Sequence, residues 1–181
     1  MKFQSLLIYF LTVTVLTASM CKKKPVDPID QLPSATQTGA NTFGCLVNGK
    51  VWVPKGYDGT GTPNPHIKME TGLNGLPVLT IDTHQIINQN TEGTVFLSIG
   101  NLLQAANFNY PSDMNFLFGW SKYFGNCGTP AFDTTIQKWG GGIITKLDLP
   151  NHIISGTFYC KFKAPQCDTV FLTDGRFDIK F

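Results

Sequence analysis

The last third of the chain leaves few folds open. Apolar runs at 143–149, 153–163, 168–173 and 176–181 are divided by Pro150-Asn151, Ala164-Pro165-Gln166 and Asp174-Gly175. In Phe177-Asp178-Ile179-Lys180-Phe181 apolar and polar residues alternate, which predicts a strand with one buried and one solvated face. Short turns between such strands make an antiparallel meander. Asp174-Gly175 either turns the chain or makes a bulge. An alternating final strand implies that the terminus is paired into a sheet, since unpaired termini fray.

The rest of the chain reads the same way. Asn48-Gly49 sits between two apolar runs, 42–47 and 50–54, and Asn-Gly is the pair that a two-residue hairpin turn selects. Further strands are expected at 66–70, 77–83, 93–99, 116–123 and 131–139, the last ending at Gly140-Gly141-Gly142. Residues 102–106 are the one stretch that could make a helical turn or two. The expected fold class is therefore all-β: an antiparallel sandwich or barrel of about nine or ten short strands, with a C-terminal meander and at most one short helix. Composition agrees. Only 14% of the 181 residues are charged, against about 25% in a typical domain. Gly, Asn and Thr take the polar positions, which suits strands and turns better than Glu- and Lys-faced helices. Fourteen phenylalanines supply a core. A net charge of +2 with no basic stripe excludes a nucleic-acid surface as a leading expectation.

The N-terminus reads as an address. Lys2 precedes an apolar run over 6–16, then Thr17-Ala18-Ser19-Met20 and Cys21. Basic start, short apolar stretch and small residues are the parts of a secretory signal. A cysteine at the cut resembles the lipobox of bacterial lipoproteins, with Ala18 and Met20 where that pattern has Leu and Gly or Ala. An uncleaved anchor and an ordinary cleaved signal are the alternatives, and all three place the domain outside the cytoplasm. The expected organisation is a signal peptide over 1–20, a lipid-anchored Pro-rich tether over 21–40 and one β domain over 41–181. A semi-extended tether of about 20 residues reaches up to roughly 60 Å.

With Cys21 acylated, Cys45, Cys127, Cys160 and Cys167 remain, an even number in an oxidising compartment, so disulfides are expected. Four cysteines allow three pairings, and a hairpin bridge between Cys160 and Cys167 is one of them. There is no C-x-x-C pair and no His at ligand spacing from a Cys, so no metal is expected.

Three segments carry a resemblance. Asn41-Thr42-Phe43-Gly44-Cys45-Leu46-Val47-Asn48-Gly49-Lys50-Val51-Trp52, Ile154-Ser155-Gly156-Thr157-Phe158, and Cys167-Asp168-Thr169-Val170 followed by Thr173-Asp174-Gly175-Arg176-Phe177-Asp178-Ile179 resemble an uncharacterised family of Bacteroidetes lipoproteins, a domain of unknown function. The resemblance covers roughly residues 41–54 and 142–181. It implies an outer-membrane lipoprotein. The acidic residues that can follow the anchor in surface-exported members are missing, which favours the periplasmic face. It also implies a Cys127–Cys167 bridge, with Cys45–Cys160 as its complement. It carries no activity with it.

Chemistry is sparse. Asp82 and His84 lie two apart on an expected strand and so share a face. They could form an acid/base dyad or half of a metal site, although a polar solvated face is the commoner meaning. Trp52 alternates with Val51 and Val53, so Trp52 or the two valines face solvent. Trp52, Trp120 and Trp139 with Tyr57, Tyr110 and Tyr123 could form a sugar-stacking platform, although aromatics in β domains are more often core. No nucleophile elbow, zinc-protease motif, P-loop or dinucleotide fingerprint occurs, and no cofactor is expected. The leading expectation is a non-catalytic binding or structural protein of the cell envelope, with the membrane and a glycan or envelope protein as partners. The alternative is a small envelope hydrolase acting on glycans or peptides. Oligomeric state is left open.

Overall fold

Ten strands form two antiparallel sheets. A computed structural model describes residues 24–56, 63–87, 90–112, 116–121 and 134–181. The strands are β1 (Thr42–Val47), β2 (Lys50–Trp52), β3 (His66–Thr71), β4 (Pro77–Ile87), β5 (Asn90–Ile99), β6 (Asn107–Tyr110), β7 (Phe116–Ser121), β8 (Gln137–Asp148), β9 (Ile153–Lys163) and β10 (Val170–Lys180). The larger sheet runs β2-β1-β10-β9-β8-β6 and the smaller β3-β4-β5-β7. The fold is an all-β sandwich, as the alternation predicts.

Asn48 and Gly49 take φ of 48° and 76°, the positive values a tight hairpin turn requires. The alternating residues then fall on the expected sides. Leu79, Ile81, Val95, Leu97, Phe116 and Phe118 from the smaller sheet meet Phe43, Ile154, Phe158, Phe162, Leu172, Phe177 and Ile179 from the larger, all nearly inaccessible to solvent. Stacked sheets share such a core about 10 Å thick. Each fully buried apolar side chain stabilises by about 1.5–3 kcal/mol. The C-terminal strand β10 lies between β1 and β9, so the terminus is in the middle of the larger sheet. Asp174 takes φ 54° and the β9–β10 register shifts between Leu172 and Gly175, making a bulge and not a turn.

Four expectations are corrected. The triple glycine does not end a strand. β8 runs straight through Gly140, Gly141 and Gly142, because a Cβ on Gly140 would lie 2.9 Å from the Phe118 ring and one on Gly142 2.6 Å from the Phe108 ring. These residues are the sockets into which two core phenylalanines fit. Residues 102–106 are not helical. The single helical element among the described residues is a 3-10 turn at Pro28–Gln31, capped by Asp27, whose carboxylate accepts from Ile29 N at 3.1 Å.

The tether expected over 21–40 is largely part of the domain. Leu32 is buried, and residues 33–40 cross the outer face of the larger sheet. Asp178, 1% exposed, holds that strap. Its carboxylate accepts from Thr36 Oγ1 (2.5 Å), Thr38 N (3.0 Å), Thr38 Oγ1 (3.1 Å), Gly39 N (2.8 Å), Ala40 N (3.2 Å) and Ser155 Oγ (2.8 Å). Burial pushes the Asp178 carboxyl up, but these donors outweigh it and hold the group well below the ordinary carboxylate range.

Cys45 and Cys160 are buried free thiols, which corrects the bridge expected between them. Strand β10 separates β1 from β9, and strands two apart lie about 9.6 Å from each other. A disulfide needs Cα atoms within about 7 Å. Burial pushes the Cys45 thiol up to about 12; burial and then the neighbouring Cys45 push the Cys160 thiol well above its usual value. Burial thus disfavours the thiolate, the form that acts as nucleophile or metal ligand, at both positions. Cys167 is disulfide-bonded, with a partner outside the described residues. Cys127 and Cys21 also lie outside them.

Candidate functional site

Among the described residues, the strap covers one half of the outer face of the larger sheet and leaves the other half open. Strand alternation decides what that open half presents. On β9 the core takes Phe158, Cys160 and Phe162, so Thr157, Tyr159, Lys161 and Lys163 point outward. Register places Trp139 of β8 and Phe171 of β10 on either side of Lys161, and Gly141 opposite Tyr159. The Lys161 ammonium lies 5.3 Å from the Trp139 ring centroid and 5.4 Å from that of Phe171, within cation–π reach of both. Phe171 is held in place by the first hairpin: its N–H donates to Asn48 Oδ1 at 2.8 Å, and its carbonyl accepts from Asn48 N at 2.8 Å.

Trp139, Tyr159 and Phe171 are the exposed aromatic side chains among the described residues, at 42%, 53% and 44%. Their position on one face therefore matters more than their exposure singly. Beside them lies an open groove of about 680 Å³. Its walls include Asn107, Asn109, Ile143, Tyr159, Asp174 and Arg176, with Ala35 of the strap at one side. Gly141 lies between two of these wall residues, Asn109 and Tyr159. A Cβ there would lie 2.6 Å from Asn109 Oδ1 and 3.2 Å from the Tyr159 hydroxyl, so the missing side chain lets those polar groups converge. Arg176 is steadied by two backbone carbonyls, donating from Nη1 to Pro33 O at 3.3 Å and from Nε to Asp174 O at 3.4 Å. An apolar and aromatic surface with a few fixed polar groups is suited to binding and orienting a ligand.

The residues singled out from sequence fare differently. Trp52 is core: it is 6% exposed and packs edge-on against Phe43 at 6.2 Å, so the ligand-facing expectation for it is overturned. Its neighbours Val51 and Val53 are half-buried instead. Trp120 and Tyr110 pack against the core, and Tyr57 and Tyr123 lie outside the described residues. Of the four of these aromatics among the described residues, Trp139 alone joins the open face. Tyr159 and Phe171 were missed, although the parity of β9 and the position of Phe171 opposite Lys161 carry them. Asp82 and His84 do share the outer face of the smaller sheet, with His66 directly across from Asp82. Burial pushes the Asp82 carboxyl up while His84 and His66 pull it down, with a net rise. The His84 backbone is clamped by Asn64, which accepts from His84 N at 3.1 Å and donates to His84 O at 2.7 Å, while its Nε2 is buried without a hydrogen-bond partner. Among the described residues no three His, Cys, Asp or Glu side chains form a metal-binding group, and no helix is long and apolar enough to cross a membrane.

The chain matches no protein-family model, no curated protein and no solved structure.

Proposed function

We propose that this chain is an exported, lipid-anchored cell-envelope protein whose β domain binds a glycan on the open outer face of the larger sheet without transforming it. One observation carries the reading: the exposed aromatic rings gather on the single face that also holds the polar groove. Flat rings cover the apolar faces of sugars, and the amides of Asn107 and Asn109 with the Tyr159 hydroxyl are suited to sugar hydroxyls. Among the described residues the groove walls carry one carboxylate, Asp174, where glycoside hydrolysis ordinarily calls for a pair.

The anchor reading rests on the basic, apolar and small-residue succession before Cys21. Three acyl chains would attach the protein stably, at about 0.8 kcal/mol per buried methylene. With residues 28–40 packed on or beside the sandwich, only a short leash separates that lipid from the domain, which keeps the groove near the membrane that bears it.

The test is affinity electrophoresis of the intact protein through gels containing defined polysaccharides. Retardation by at least one of them, lost on Trp139→Ala with the melting temperature unchanged, is the expected result. No retardation by any neutral or acidic polymer would sink the glycan reading. Mass spectrometry of the mature N-terminus tests the anchor: an acylated Cys21 is expected, and an unmodified chain retaining residues 1–20 would refute it.

A further inference from the structure

We infer that the glycan taken by this face is acidic, with anionic substituents read by Lys161 at one end of the site and Arg176 at the other. The inference rests on the glycan reading and adds the charge class of the ligand. Lys161 and Arg176 both face outward from the open half of the larger sheet. The ion pairs among the described residues are Lys68–Glu70 and Lys146–Asp148, and neither Lys161 nor Arg176 takes part in one. Asp174 is next to Arg176 along the bulge, yet Arg176 bonds its backbone carbonyl and not its carboxylate.

The two cations are also placed for use. Lys161 stands between the Trp139 and Phe171 rings, which confine the ammonium over the surface on which a sugar would lie. Arg176 is fixed through Nη1 and Nε to Pro33 O and Asp174 O, so the rest of its fork is directed without further loss of freedom. Register sets Lys161 opposite Phe171 and Thr157 opposite Arg176, so the two cations are four residues apart along β9. That is about 13 Å. A single sugar does not bridge it, and an oligosaccharide does. Lys163, also outward on β9, is bound to Cys167 O at 2.7 Å and is the less available cation. The shared chemistry of the ligand is a polysaccharide carrying uronate carboxylates or sulfate esters.

Two matched pairs of polymers test this on the intact protein: polygalacturonate against its methyl ester, and dextran sulfate against dextran. At least one acidic member is expected to bind about tenfold or more tightly than its neutral counterpart. Lys161→Met and Arg176→Gln should each erase most of that preference. Trp139→Ala should weaken both members of the pair, and Lys68→Met on the other sheet should change nothing. Equal binding of acidic and neutral members overturns the acidic inference and leaves the glycan reading standing. Binding of no polymer overturns both. Acidic binding that Trp139→Ala leaves intact, or that Lys68→Met reduces as much as Lys161→Met, is adsorption of a polyanion and also overturns it. Stronger retention on phosphatidylglycerol vesicles than on any polymer assigns the face to a membrane surface and overturns it as well.

Discussion

The outer face of the larger sheet is two surfaces with opposite solutions to one problem. In both halves an outward residue has to be given a partner. Under the strap, Asp178 is enclosed by donors from Thr36, Thr38, Gly39, Ala40 and Ser155 and is lost to solvent. Across the open half, Trp139, Tyr159 and Phe171 remain exposed, and Lys161 has aromatic rings in place of a carboxylate. The covered half is built for stability. The open half is left with apolar area that folding does not use, and the proposed ligand-binding reading starts from that area.

The contrast can be broken in order of size. Removing residues 177–181 deletes the last four residues of a central strand, buried Phe177 and Ile179 among them, and unpairs β1 and β9 there. No soluble, cooperatively melting protein is expected, and its recovery would show that the covered half is dispensable. Asp178→Ala should cost roughly 2–4 kcal/mol in urea unfolding and expose residues 33–40 to protease. An unchanged midpoint would mean the strap is held by something else.

Acid gives a reversible version of the same test. The folded Asp178 carboxyl ionises below its unfolded value of about 3.9. The stability it supplies is therefore present in full above that value and is lost as the pH falls through the folded one. The Asp178 share of the stability should decline as the pH falls below about 4, and Asp178→Asn should remove that share of the decline. An identical pH profile in both proteins would dissociate the strap from this carboxylate. Smallest of all, Trp139→Ala, Tyr159→Ala and Phe171→Ala should each shift stability by about 0.5 kcal/mol or less in thermal melts. A loss of several kcal/mol at any of them would make the open half core after all.

Much of the sandwich was legible because strand alternation is a local signal. Residues 153–163 form the single strand their pattern predicts, with Phe158 and Phe162 inward, and Asn48-Gly49 takes the turn that this pair selects. The triple glycine misled because its reason lies elsewhere in the chain, in the rings of Phe108 and Phe118 that occupy its sockets. The same distance hid β6, which pairs with β8 across about 30 intervening residues. The strap was hidden too: a Pro-rich segment without hydrophobic period looks like a tether until Asp178 supplies an acceptor for its backbone. For the site, alternation could have found Tyr159 and Lys161, whereas Trp52 looked available because nothing local revealed Phe43 beside it.

Alternating apolar residues and turn-forming pairs set the class of fold, the meander and the placing of its last strand in a sheet, since each depends on neighbours within a few residues. Tertiary structure alone decided that two sheets stack instead of closing into a barrel, that β10 holds Cys45 and Cys160 apart, and which aromatic rings stay in water. Those outcomes rest on contacts between residues far apart in the chain, whose geometry no local pattern encodes.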